Sequence, residues 1–371
     1  MNTVIMQGQR SWPLKSSHVE AWVTVAGGHL GPATFRCGGR KIRPLSVAPW
    51  AEEPLPAGTP PLLRALRGDF FCLPFGGNAT AYRGESHPVH GETAHANWKL
   101  VSLERDALHA RLTTRVRRGQ VDKYVRLGRG EETCLYQRHV VSGMSGPMDL
   151  GHHLMLRFGS EALISTSRFV HGQVLPEAFE SPERKGYQSL RPGARFTSLG
   201  RVPALAGGMA DLSRYPARRG FEDLVMVVSD PKLRFAWTAA SFPHERHLCL
   251  TLKDPRVLRE TVFWISNGGR HYPPWNGRHV DVMGLEEVTS YFHLGLADSV
   301  KPNPVSRRGH PTSVRLSPTR PLTVNMIFAV AATPRGFDRV AGVTPRRGGV
   351  TVRSASGKSV EVPLDLAFLG V

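Results

Sequence analysis

Three places in the sequence gather side chains that could move protons. The densest is the stretch from Asn78 to Trp98, where Glu85, His87, His90, Glu92 and His95 share a segment broken by Gly84, Pro88 and Gly91. Punctuation of that kind marks a loop, and loops carry a disproportionate share of binding and catalytic groups. Imidazole titrates near neutral pH, so each of these histidines is a candidate acid or base, with a solvated polar loop as the plain alternative. A metal held by His87, His90 and His95 fits less well, because their intervals of three and five match neither a strand's i, i+2 nor a helix's i, i+4 ligand spacing.

The second place is Gly151-His152-His153-Leu154-Met155-Leu156 and the third is Gly284-Leu285-Glu286-Glu287-Val288-Thr289, each a pair of like polar residues inside an apolar run. Successive strand residues face opposite ways, so one member of each pair can enter a given cavity, and the other histidine is expected at the surface. A carboxyl turned in among apolar neighbours has a raised pKa, which suits a general base near neutrality; a solvated glutamate or a rim histidine is the ordinary alternative.

The elements that must position these groups read as strands. Val19 to Val25 is rich in β-formers and ends at Gly27-Gly28, and similar short runs cover Ala110 to Val116, Asp122 to Leu127, Thr133 to Val141, Leu224 to Val228, Leu248 to Leu252, Thr261 to Ile265 and Thr323 to Val330. The 38 glycines and 29 prolines fall mostly between the runs, where turns need a positive or preset φ. Many short strands separated by turn signals imply an all-β sandwich or barrel. Only Pro61 to Arg67 reads as a helix, and Lys301 to Pro318 reads as a long loop.

Composition narrows the class. The net charge of +18 raises the question of nucleic acid, but the arginines lie singly or in short pairs along the whole chain, with no basic helix, zinc-finger spacing or RNP signature. No nucleic-acid partner is therefore expected. Cys37, Cys72, Cys134 and Cys249 are scattered without a CxxC pair, the first residues carry no secretory h-region, and no run of about 18 apolar residues occurs. These features predict reduced thiols, no membrane partner and a cytoplasmic location.

Taken in order, the motifs resemble the galactose mutarotase-like family, which includes the aldose 1-epimerases and the hexose-6-phosphate epimerases. Val23-Thr24-Val25-Ala26-Gly27-Gly28 is similar to the family's first strand and Gly-Gly turn, Leu73-Pro74-Phe75-Gly76-Gly77-Asn78 to its Pro-Phe-x-Asn segment, and His90-Gly91 followed by Trp98 to its His-Gly motif. Gly151-His152-His153 resembles the strand with the second active-site histidine, at His153 by the Gly-plus-two pattern; Leu285-Glu286 resembles the Gly-Ile-Glu-Pro strand, and Gly220-Phe221-Glu222-Asp223 the Gly-Tyr-Asp-His segment.

The resemblance implies a β-supersandwich in which Glu286 is the base, His153 the acid, and His90 a partner near the ring oxygen or C1. It implies sugar contacts from Asn78, from Glu222 or its neighbour Asp223, and from Trp264, Tyr272 or Trp275 stacked on a pyranose face. Where the family has Asn-Arg, this chain has Asn78-Ala79, so Arg83 or Arg270 would have to supply the guanidinium; Glu287 replaces the proline after Glu286, and the His-Thr-Tyr-Phe signature is missing around His153, which points away from free galactose.

The expectation is thus one galactose mutarotase-like domain over 1–371 with an extension from about 335, acting as an aldose 1-epimerase-like isomerase on a neutral, anionic or phosphorylated carbohydrate without cofactor or metal, as a monomer or homodimer. Two alternatives stand beside it: a non-catalytic carbohydrate-binding or regulatory protein on the same fold, and a metal-dependent sugar isomerase or lyase using His87, His90 and His95.

Overall fold

In a computed structural model, which describes residues 3–371, nearly all regular structure is antiparallel strand. A nine-stranded sheet runs, in spatial order, Arg214–Tyr215, Ala162–Thr166, Ala236–Phe242, His247–Lys253, Leu322–Ala332, Cys134–Ser142, Gly119–Leu127, Ala107–Thr114 and Lys99–Leu103. An eight-stranded sheet has Phe221–Ser229, Glu260–Asn267 and Val282–Thr289 at its centre; Leu150–His152 and Leu154–Arg157 both pair with the last of these. The two sheets share one core, to which Leu135, Val324 and Phe328 contribute from the first, and Phe263, Ile265 and Leu285 from the second. A five-stranded N-terminal sheet, Val4–Met6 to Arg40–Ile42, adds Val19, Ala21, Val23 and Phe35 to it.

Burial explains why some strands alternate and others do not. Ala107–Thr114, near the edge of its sheet, alternates between buried and more exposed residues, the pattern of a strand with one wet face. Val282–Thr289 and Glu260–Asn267 are buried at every position, because one face meets the other sheet and the opposite face meets a second apolar cluster. Polar residues on these two strands are therefore buried whichever way they point, and each needs a partner.

All the expected strands form, most of them a residue or more longer than predicted. The expected helix is shorter, Pro61–Ala65, because Arg67 turns inward and donates to the carbonyls of Met6 and Gln7 at 2.9 Å each. The expected loop from Lys301 contains a short strand, Val314–Leu316, paired with Gly146–Met148. Val340–Arg346, Gly349–Ser354 and Ser359–Pro363 form a three-stranded sheet that covers the outer face of the nine-stranded one, setting Val350, Val352 and Val362 against Leu248, Leu250 and Ile327. All four cysteines are free thiols, and no helix among the described residues is long and apolar enough to cross a membrane.

Candidate active site

Register decides which side chains meet. Paired residues on antiparallel neighbours share a face, so Glu222 with Ser266, Trp264 with Gly284, and Val262 with Glu286 all point to the same side of the eight-stranded sheet. Gly151 pairs with Val288 and Leu154 with Leu285, which sets His153 level with Glu286. The result is a close approach of His153 Nε2 to Glu286 Oε1, at 3.2 Å, with both side chains almost fully buried. Gly284 makes room for the carboxylate: a Cβ there would lie 2.6 Å from Glu286 Oε1.

Burial shapes the protonation of this pair. It pushes the Glu286 carboxyl well above the ordinary carboxylate range, an effect that the nearby Arg270 only partly offsets. It lowers the His153 imidazole to about 4. Both groups favour their neutral forms, so the pair holds one proton between them. His153 is fixed by a backbone hydrogen bond to Phe70 O at 2.9 Å and by stacking of its ring on Phe70, with centroids 4.6 Å apart.

His90 reaches the same place from the loop. Its backbone has a φ of 59°, and its Nδ1 accepts from the Gly76 amide at 3.2 Å, so the ring proton sits on Nε2. The ring meets His153 edge-on at 4.8 Å between centroids, and burial lowers its pKa well below the usual value.

These three residues line a cavity of about 160 Å³. On one side Trp264 and Trp275 meet at right angles, and the Arg270 guanidinium lies 5.4 and 4.6 Å from their rings. Arg270 Nε donates to Glu180 at 2.5 Å and lies 4.0 Å from Glu222. Of the residues expected at the site, Glu286, His153, His90, Trp264, Trp275 and Arg270 converge on this cavity.

The others lie elsewhere. Glu222 sits behind the wall, accepting from Trp264 Nε1 at 2.9 Å and Ser266 Oγ at 2.8 Å, and burial raises its pKa to about 7. Asp223 points to the opposite face and accepts from Ser189 and the Leu190 amide. Asn78 ties its loop to the helix Leu296–Val300, accepting from the Leu296 amide at 3.0 Å and donating to Gly76 and Pro88 carbonyls. Arg83 is exposed, over the Tyr82 ring. Tyr272 donates to Glu180 rather than facing the cavity.

The histidine loop does not gather a metal set. His87 turns to Glu85 at 3.1 Å, His95 to the Val89 carbonyl at 2.7 Å, and His90 to Gly76; among the described residues no three His, Cys, Asp or Glu side chains are placed to share an ion. His152, expected at the surface, is fully buried on the inner face and bonded to Asp69 at 2.8 Å, because both faces of the sheet are covered.

Sequence reasoning missed the apolar wall and one histidine. Leu62, Leu63 and Leu66 reach the cavity from the short helix and the residue after it, Phe70 and Phe179 from loops, and His293 from the turn after Val282–Thr289. The Tyr291-Phe292-His293 run directly follows the Glu286 strand, and that adjacency was the available signal for His293.

No protein-family model matches the sequence, and no curated protein matches it. Solved structures do. A candidate aldose 1-epimerase from Escherichia coli K12 superposes with a TM-score of 0.60 at 15% identity, covering 88% of this chain and 100% of its own. A galactose mutarotase related enzyme from Lactobacillus acidophilus gives 0.57 at 10% identity over 88% and 99%, and an aldose epimerase homologue from C. elegans gives 0.56 at 11% over 87% and 100%. The chain has the galactose mutarotase-like fold.

Proposed function

We propose that this protein interconverts the anomers of an aldose by general acid/base catalysis, with Glu286, His153 and His90 as the reacting groups. The observation that carries the reading is the pairing of Glu286 with His153 at 3.2 Å in a cavity that His90 also enters, on a fold shared with aldose epimerase-like structures.

The chemistry needs two proton transfers around one carbon. A base removes the proton of the C1 hydroxyl while an acid protonates the ring oxygen, the bond from C1 to the ring oxygen breaks, and the carbonyl end rotates before the reverse steps close the ring on its other face. Both oxygens are bonded to C1, so the groups that serve them must be near neighbours. Moving the shared proton from Glu286 to His153 gives a carboxylate base and an imidazolium acid without uptake from solvent. His90 donates from Nε2 toward the oxygen that gains charge. The tryptophans and Arg270 give the sugar an aromatic platform and one cationic donor.

A neutral aldose is favoured over a phosphorylated one. Arg270 is the one Lys or Arg lining the cavity among the described residues, and Glu180 and Glu222 already face it. The test is polarimetric mutarotation of freshly dissolved pure anomers, neutral and phosphorylated, at low temperature. Acceleration by the protein and its loss in Glu286→Gln supports the reading; a flat panel with sugar binding still detectable by calorimetry replaces it with a carbohydrate-binding role.

A further inference from the structure

An epimerase acting as proposed engages Glu286, His153 and His90, three of the polar groups lining the cavity, at the anomeric centre. Arg270, His293 and the indole N–H of Trp275 are left for every other hydroxyl of a bound sugar. The carboxylates that could accept from those hydroxyls are committed to protein donors. Glu222 holds Trp264 and Ser266, Asp223 holds Ser189 and Leu190, and Glu180 holds Arg270 and Tyr272.

The remaining wall is carbon. The helix Pro61–Ala65 is pinned to the tryptophan side, with Trp50 donating to the Leu63 carbonyl at 2.8 Å while its ring meets Trp275 edge-on at 4.9 Å. Leu62, Leu63 and Leu66 thereby face the cavity together with Phe179, and Val89, almost half exposed, adds an apolar edge beside His90. A sugar hydroxyl pressed against such a wall loses water and gains no partner, whereas a methyl group there is buried favourably.

We infer, resting on the epimerase function, that the site takes a neutral aldose with an apolar exocyclic end, a 6-deoxyhexose, in preference to the hexose with a hydroxyl at that carbon. An apolar pocket discriminates by about 10–100-fold for a change of this size, since it cannot reject an added hydroxyl as strongly as a hydrogen-bonding site rejects a missing one.

The experiment compares kcat/KM for mutarotation in matched pairs differing only at the exocyclic carbon: D-galactose with 6-deoxy-D-galactose, D-glucose with 6-deoxy-D-glucose, and L-mannose with 6-deoxy-L-mannose. The deoxy member of the best-used pair is expected to lead by about 10–100-fold, and Leu63→Gln, which places an amide on a partly buried part of the wall, should narrow that lead. Should Leu63→Gln fail to fold, the ratio in the unaltered protein decides alone. Equal or higher kcat/KM for the hydroxylated sugars overturns the preference and leaves the epimerase function standing; no acceleration for any sugar in the set removes that function and this inference with it.

Discussion

One strand carries two adjacent glutamates, and its two faces treat them in opposite ways. On the inner face Glu287 accepts from Lys253 Nζ at 2.5 Å, Thr251 Oγ1 at 2.6 Å and Thr261 Oγ1 at 2.7 Å. On the cleft face Glu286 has His153 at 3.2 Å, and burial drives it toward the neutral acid. The histidine pair divides by face and not by partner count: His152 is held by Asp69 and His153 lies 3.2 Å from Glu286, each keeps one buried ring nitrogen without a partner, and only His153 lines the cavity. Buried polar groups with a full set of partners hold a structure together. Groups left short of partners hold chemical potential that a ligand can use, which is why perturbed pKa values gather at functional sites.

The largest expected effects come from exchanging each glutamate for its amide. Glu286→Gln should lower kcat by about 10²–10⁴-fold, the worth of a general base, with thermal stability unchanged or higher because a poorly solvated carboxyl is removed. Glu287→Gln should instead destabilise by about 3–5 kcal/mol in urea unfolding, since the Lys253 ammonium is left buried against a neutral group. If both variants lost activity equally while keeping full stability, the division between faces would be wrong. The histidines should divide in the same way at smaller size, with His153→Gln lowering kcat and His152→Gln costing about 1–3 kcal/mol by weakening the buried support of Asp69, which would keep Gln137 as its donor.

Much of this contrast was legible in the sequence. Once the apolar runs that carry them are read as extended, period-two alternation requires that Glu286 and Glu287, or His152 and His153, part company. Composition could not show that both faces of the central sheet are covered. The expectation of a surface histidine failed at that point, because long-range packing of two sheets and not local pattern buries His152. Glu222 and Asp223 show the same limit: sequence marked the pair, but only the register reveals that one braces Trp264 and the other a distant loop. The apolar wall was invisible because Leu62, Phe70 and Phe179 lie far apart in the chain and carry no chemistry that distinguishes them from ordinary core.

A gentler probe is the pH dependence of stability. Burial raises Glu260 to about 8, Glu222 and Asp149 to about 7, and Asp223 to about 6, so between about pH 4 and these values the folded chain binds more protons than the unfolded one. Stability contributed by these groups is lost as pH rises through that window. The buried imidazoles, His153 at about 4 and His279 and His293 at about 3, act in the other direction, costing stability as pH falls below about 6.5. Above about pH 7.5 nearly all imidazoles are neutral in both states, so the raised carboxyls, Glu286 among them, outweigh them there, and the urea midpoint should decline between about pH 7.5 and 8. Glu260→Gln should flatten the upper part of that decline; an unchanged slope would mean that another group controls it.

The smallest expected effect separates the two arginines that sequence offered as equivalents. Arg270 is enclosed by Trp264, Trp275 and Phe179 and paired with Glu180, so Arg270→Ala removes a cavity group and strands a carboxylate, raising KM and lowering stability together. Arg83 is exposed on its loop and touches only the Tyr82 ring at 5.5 Å. Arg83→Ala should therefore leave both the mutarotation rate and the unfolding free energy within about 0.5 kcal/mol of the parent, as surface changes away from special features do. A marked rise in KM for Arg83→Ala, with stability intact, would place the histidine loop over the sugar in the working enzyme and transfer the guanidinium role from the sheet to the loop.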